Sequence, residues 1–126
     1  MATDDAIQRA LAQGHTIDMT TTGRRSGQPR RKEIVFHNIG GRLYISGIPR
    51  PAKRDWLRNL EADPRLTFHL KDAVQADLPA TARVIEDEAE RRTILAQVAR
   101  NWGRDDLEEM VHYSPLIEVM LATVAH

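Results

Sequence analysis

Thr20-Thr21-Thr22-Gly23-Arg24-Arg25-Ser26-Gly27-Gln28-Pro29-Arg30-Arg31-Lys32 is the stretch that decides how this chain folds. It holds five cations, two glycines and four hydroxyls. Upstream, His15 to Thr22 alternates, with Ile17 and Met19 on one face, and predicts a strand. Downstream, Arg30 to Asn38 contains Ile34, Val35 and Phe36 and predicts a second strand. Gly23 to Gln28 is then the turn between them. The glycines let backbone N–H groups approach an anion, and the arginines neutralise it. The bland alternative is a solvated basic hairpin tip, because charged turns are common.

Beyond that hairpin, Gly40-Gly41 predicts another tight turn, leading into a strand from Arg42 to Gly47. Ile48-Pro49-Arg50-Pro51 breaks the strand. Lys53 to Ala62 predicts a helix with Trp56, Leu57 and Leu60 on its apolar side, stopped by Asp63-Pro64. Arg65 to Lys71 alternates as a fourth strand. Gln75 to Ile85 predicts a fifth, interrupted or bulged near Pro79. Glu86 to Trp102 is the longest helix, with Ile94, Leu95, Val98 and Trp102 as its buried stripe. Asp105 to Val111 predicts a short helix, and Pro115 to Leu121 a closing strand. At the other end, Thr3 caps a helix from Asp4 to Ala12 that Gly14 ends. Six short antiparallel strands with flanking helices imply an α+β fold built on a small barrel.

The chain has 126 residues, 41% hydrophobic and 29% charged, the composition of one ordinary globular domain spanning 1–126. It lacks cysteine, which excludes disulfides, thiolate metal sites and a cysteine nucleophile, and is consistent with a cytoplasmic home. No run of about 18 apolar residues predicts a membrane span. The acidic start, Ala2-Thr3-Asp4-Asp5, argues against a secretory signal. The formal net charge of zero hides an asymmetry. Residues 23–58 hold ten Lys/Arg against Glu33 and Asp55, a balance of +8. Residues 64–126 hold seven against eleven acids, a balance of −4. Such a concentration focuses field on an anionic ligand.

Arg50, Lys53 and Arg54 form a second basic cluster near a helix start, where cations are unfavourable unless they serve an anion. Two such clusters flanking one hairpin suggest a shared anion site. Trp102, His112 and Tyr113 sit around the last helix, where they either pack or line a substrate pocket and donate a proton. The five histidines show no metal spacing, so no metal site is expected. There is no Ser–His–Asp signature, no G-x-S-x-G elbow, no Walker A and no Rossmann fingerprint. An anion grip with little side-chain chemistry suits a protein whose ligand carries the reactivity.

The stretch Thr20–Arg30 resembles the signature of the deazaflavin-dependent nitroreductase family, within the flavin/deazaflavin oxidoreductases of split β-barrel fold. Trp56-Leu57-Arg58-Asn59-Leu60-Glu61-Ala62-Asp63-Pro64 resembles the family's W-x-x-N-L-x-A-N-P element. The resemblance runs from about residue 15 to residue 72. It implies coenzyme F420, whose tail is a phospholactyl-polyglutamate. It also implies hydride transfer to a small nitroaromatic, quinone or enone. Carried over by position, Arg24, Arg25 and Arg30 meet the phosphate and tail, with Ser26 and Gly27 in the same turn. Ser46-Gly47-Ile48 runs along the tricyclic ring through backbone groups. Arg50, Lys53 and Arg54 stand where relatives often carry a Lys or Asn with glycines. Tyr113 is the expected proton donor and Trp102 a pocket wall.

The wider group also implies FMN as the alternative cofactor, or FAD, haem or biliverdin, and pairing into a homodimer. A third reading is a non-catalytic module in which residues 23–58 meet nucleic acid or an acidic partner. Aromatics there are few (Phe36, Tyr44, Trp56), which argues against nucleic acid.

Overall fold

A computed structural model describes residues 4–122. The elements in chain order are α1 (Asp4–Gln13), β1 (Thr16–Thr22), β2 (Pro29–Ile39), β3 (Arg42–Ser46), α2 (Asp55–Ala62), β4 (Arg65–Lys71), β5 (Gln75–Val84), α3 (Glu88–Trp102), α4 (Leu107–Tyr113) and β6 (Leu116–Leu121). Thr3, the expected cap of α1, lies outside the described residues. The six strands close into an antiparallel barrel in the order β1-β2-β3-β6-β5-β4, with β1 pairing back onto β4. Closure leaves no free sheet edge.

Local chemistry explains the turns. Ile39 pairs with Arg42 across Gly40 and Gly41, which both take positive φ (62° and 86°). A two-residue loop of that hand matches the twist of the flanking strands. Asp87 caps α3 by accepting from the Glu90 N–H at 2.9 Å, so the helix starts two residues later than its sequence pattern suggests. The expected break at Pro79 is absent. β5 keeps one register on β4, with Thr67 opposite Pro79, and one register on β6. Proline is tolerated because its carbonyl accepts from the Ala122 N–H (2.9 Å) just beyond the end of β6. The N–H it lacks would have faced the place where the partner strand stops.

Two apolar clusters hold the fold. Ile17, Met19, Phe36, Ile45, Phe68 and Ile117 fill the barrel, and α2 closes one end with Trp56, Leu57 and Leu60. Alternate residues on β3 and β6, Tyr44 and Leu116, face outward but are covered by Ile94, Leu95, Val98 and Met110 of α3 and α4. This is why β3 and β6 read as almost continuously apolar. Elsewhere the outer face is polar. Lys71 bridges Asp18 (2.7 Å) and Glu33, while Arg31 holds the other Asp18 oxygen at 2.9 Å. These cations keep the Asp18 carboxyl below the usual carboxylate range. On the same face, Thr20, His69 and Asp77 form a hydrogen-bonded chain, each step 2.7 Å.

Candidate functional site

The hairpin between β1 and β2 is a built turn. Gly23 N–H donates to the Gln28 carbonyl (2.8 Å), Gly27 N–H to the Gly23 carbonyl (2.8 Å) and Gln28 N–H to Ser26 Oγ (3.1 Å). A Cβ on Gly23 would sit 2.8 Å from Ser26 Oγ and 3.2 Å from the Gln28 carbonyl, so a side chain there would push the turn apart. Gly27 has φ +71°, the left-handed region.

Beside this turn lies a cleft of about 560 Å³ between β1, β2 and α2, lined by Arg24, Arg25, Ser26, Arg30, Arg31 and Lys32, with Asp55, Trp56 and Asn59 on the helix side. Its cations divide into two kinds. Arg24 donates from Nη1 to Asn59 Oδ1 (3.1 Å) and pairs with Asp55 at 3.4 Å, and Arg31 is held by Asp18. Among the described residues Arg25 and Lys32 make no hydrogen bond or ion pair, and Arg30 has only the Ser26 hydroxyl, at 3.2 Å. Three cations thus keep donor capacity toward the cleft. A multiply charged anionic handle fits this donor set.

Asn59 is the organiser that sequence reasoning missed. It is 4% exposed, accepts from the Arg24 backbone N–H (3.2 Å) and side chain, and donates to Thr21 Oγ1 at 3.2 Å. It thereby ties α2 to the hairpin. The only sequence signal was its place in the W-x-x-N-L element, which by itself carried no role. Trp56 is buried in the core and also walls the cleft.

A second cleft, of about 290 Å³, lies on the other side of the α2 N-terminus. Arg50, Lys53, Arg54, Arg91, His112, Tyr113 and Ser114 line it, with Glu61 and Glu86. The two basic clusters therefore do not form the shared site expected from their spacing. The start of α2 separates them, with Asp55 facing one cleft and Arg54 the other. Lys53 is neutralised by Glu61 at 3.0 Å. Arg54 donates to the Ile48 carbonyl, has its Nη1 buried without a partner, and meets no carboxylate. Burial, then the nearby Arg50 charge, hold the Arg54 guanidinium below the usual arginine range. Arg91, also missed from sequence, donates to the carbonyls of Ile85 (2.9 Å), Met110 (3.3 Å), Val111 (3.0 Å) and Ser114 (2.6 Å). It ties the end of α4, beside Tyr113, to the start of α3.

The strand end Ser46-Gly47-Ile48 reaches this second cleft. Ser46 Oγ donates to the Pro115 carbonyl at 2.6 Å, fully inside the protein. A Cβ on Gly47 would lie 3.1 Å from Arg54 Nη2 and 3.2 Å from Pro115, so glycine permits a close approach there. Tyr113 is 52% exposed. Trp102 is elsewhere. It packs edge-on against His37, centroids 5.1 Å apart, at the far end of α3. Eleven helical residues separate it from Arg91, or about 16 Å along the axis. Trp102 therefore does not wall the cleft that holds Tyr113, because the antiparallel α3–α4 pair puts them at opposite ends. Among the described residues no group of histidines and carboxylates could hold a metal ion, and no helix is long and apolar enough to cross a membrane.

Residues 1–120 match the F420H2-dependent quinone reductase family. The chain belongs to that family. Solved structures agree on the architecture. A conserved hypothetical protein from Mycobacterium tuberculosis superposes with a TM-score of 0.77 at 18% identity, covering 98% of this chain and 82% of that one. The haem storage protein HutZ from Vibrio cholerae gives 0.70 at 18% identity, covering 98% and 93%. An F420H2-dependent reductase of the FDR-A type gives 0.63 at 24% identity, covering 82% and 92%. These likenesses identify the closed barrel as a split β-barrel. Family membership makes the chain an F420-dependent oxidoreductase.

Proposed function

We propose that the chain binds coenzyme F420 with the tail in the arginine cleft and the ring beside Ser46-Gly47-Ile48, and reduces a small quinone, enone or nitroaromatic at the second cleft. The carrying observation is the set of cations without counter-ions among the described residues, Arg25, Lys32 and Arg30, around a cleft of about 560 Å³. Arg24, Ser26 and Gly27 shape the same grip, and Arg24 is itself oriented by Asn59. Held there, reduced F420 would supply a hydride, which with one proton would convert a quinone to its hydroquinone.

The chain's own part is to bind, orient and protonate. Backbone groups at Gly47 and Ile48 offer a flat edge, since Gly47 leaves no side chain in the way. Tyr113 Oη sits at the cleft mouth as the proton donor, and water can recharge it. Arg50, Lys53 and Arg54, expected at the cofactor, line the same cleft as Tyr113 and in this reading stand on the acceptor's side of α2.

The test is a titration of the purified protein with F420 and, in parallel, FMN, followed by ligand fluorescence. Binding of F420, and oxidation of F420H2 on adding menadione, is the expected result. FMN binding without F420 binding overturns the reading. Tyr113→Phe should lower turnover by about 10²-fold or more, the range of general acid catalysis, with F420 affinity unchanged.

A further inference from the structure

We infer that the second cleft selects acceptors that carry a negative charge on the conjugated ring, such as a carboxylate or sulfonate. This rests on the proposed F420-dependent reduction. The charges that line this cleft do not balance. Lys53 and Glu61 cancel each other at 3.0 Å. Arg91 is spent on four backbone carbonyls. The Glu86 charge acts on Arg91, so Arg50 and Arg54 remain without an ion pair among the described residues.

Arg54 is the telling residue. Its Nη2 donates to the Ile48 carbonyl, and its Nη1 is buried with no acceptor among the described residues. Ser114, 3% exposed and lining the same cleft, has a hydroxyl that also lacks a partner. A buried donor left unsatisfied costs stability that a ligand acceptor would restore. A planar anion suits Arg54, because Arg donates in a fork that matches carboxylate geometry, and Ser114 adds a second donor to the same cleft. Tyr113, at the mouth, then faces the reducible part of the same molecule.

The test compares 1,4-naphthoquinone-2-sulfonate with neutral menadione, by calorimetry, on the full chain loaded with oxidised F420 so that no turnover occurs. Tighter binding of the sulfonate by about tenfold or more is expected, as one charge-assisted bond gives. Arg50→Gln, a change at an exposed side chain, should remove most of that preference, read as the ratio of the sulfonate affinity to the menadione affinity of the same variant. Arg54→Lys should weaken the sulfonate further, since an ammonium cannot hold Ile48 and an anion in one plane. Equal affinity for the two quinones overturns the inference, as does a preference untouched by Arg50→Gln. Sulfonate binding that F420 abolishes also overturns it, because the cleft then holds the cofactor's tail. The two readings fail separately. Absence of F420 binding, seen by fluorescence, sinks the proposed function even if the sulfonate binds cofactor-free protein. F420 binding without sulfonate preference sinks only the inference.

Discussion

The arginines of the β1–β2 hairpin and those of the α3–α4 side belong to the same residue type and live in opposite circumstances. On the α3–α4 side three arginines are matched to acids. Arg83 holds Glu90 (2.6 Å) and Glu118 (2.9 Å), Arg92 holds Glu108 (2.5 Å), and Arg104 holds Asp106 (2.5 Å). At the hairpin Arg24 and Arg31 reach Asp55 and Asp18, whereas Arg25 and Lys32 meet no acid among the described residues and Arg30 has only a hydroxyl. Matched pairs fix one geometry of the fold. Unmatched cations repel one another, and the fold tolerates them only while water or a ligand screens them. The asymmetry of charge along the chain is thus a division of labour, with one half closed on itself and the other open to an anion.

The sharpest way to break this comparison is to remove open and closed cations and read both binding and stability. Arg25→Gln with Arg30→Gln should cut F420 affinity by about 10²-fold or more, at 1.5–3 kcal/mol for each charge-assisted bond, with little change in Tm. A large fall in Tm with unchanged affinity would make those residues structural. Arg83→Gln should do the reverse. Glu118 is only 8% exposed, so losing Arg83 leaves a buried carboxylate with Arg42 as its remaining partner, at 3.4 Å. A cost of about 1–3 kcal/mol follows, read as several degrees of Tm, with F420 affinity unmoved.

Asn59→Ala joins the two behaviours. It removes the link between α2 and the hairpin, so about 1–2 kcal/mol of stability and part of the F420 affinity should go together. Unequal responses, with affinity intact, would detach Asn59 from the site.

The smallest effect concerns pH. Burial holds the His37 imidazole below its ordinary value, and the ring packs on Trp102 with Asn101 at 3.3 Å. The unfolded chain then binds the proton more readily than the folded one. The His37 contribution is complete above the unfolded value of about 6.5 and is lost as pH falls from there toward the folded value. His37→Gln should flatten the Tm profile below pH 6.5 by a degree or two, with Trp102 fluorescence as a local readout. An unchanged slope would assign the acid sensitivity elsewhere.

Much of the barrel was legible in the residues because period-2 alternation, paired glycines and prolines mark strands and turns by local sterics. Leu66, Phe68 and Leu70 announce β4, and Gly40-Gly41 announces the β2–β3 hairpin. Pro79 misled because its tolerance depends on where a strand forty residues away ends. The site was legible as charge and not as geometry. Arg24 and Arg54 both read as cations near α2, and only the folded helix puts them in different clefts. Trp102 and Tyr113 lie near one another in sequence, but the α3–α4 hairpin sends them to opposite ends. Arg91 and Ser114 gave no signal, since their roles arise from backbone carbonyls and an enclosed hydroxyl far along the chain.

The proline in β5 has a dynamic corollary. Pro79 accepts from Ala122 but returns nothing, so the β5–β6 seam lacks one rung at that end. Amide protons of Met120, Leu121 and Ala122 should exchange with deuterium sooner than those of Ile117 and Glu118, deeper in the same strand. The cylinder would then unzip from this corner, on the side away from the second cleft, and the Leu116 end of β6 would stay shut while the far end breathes.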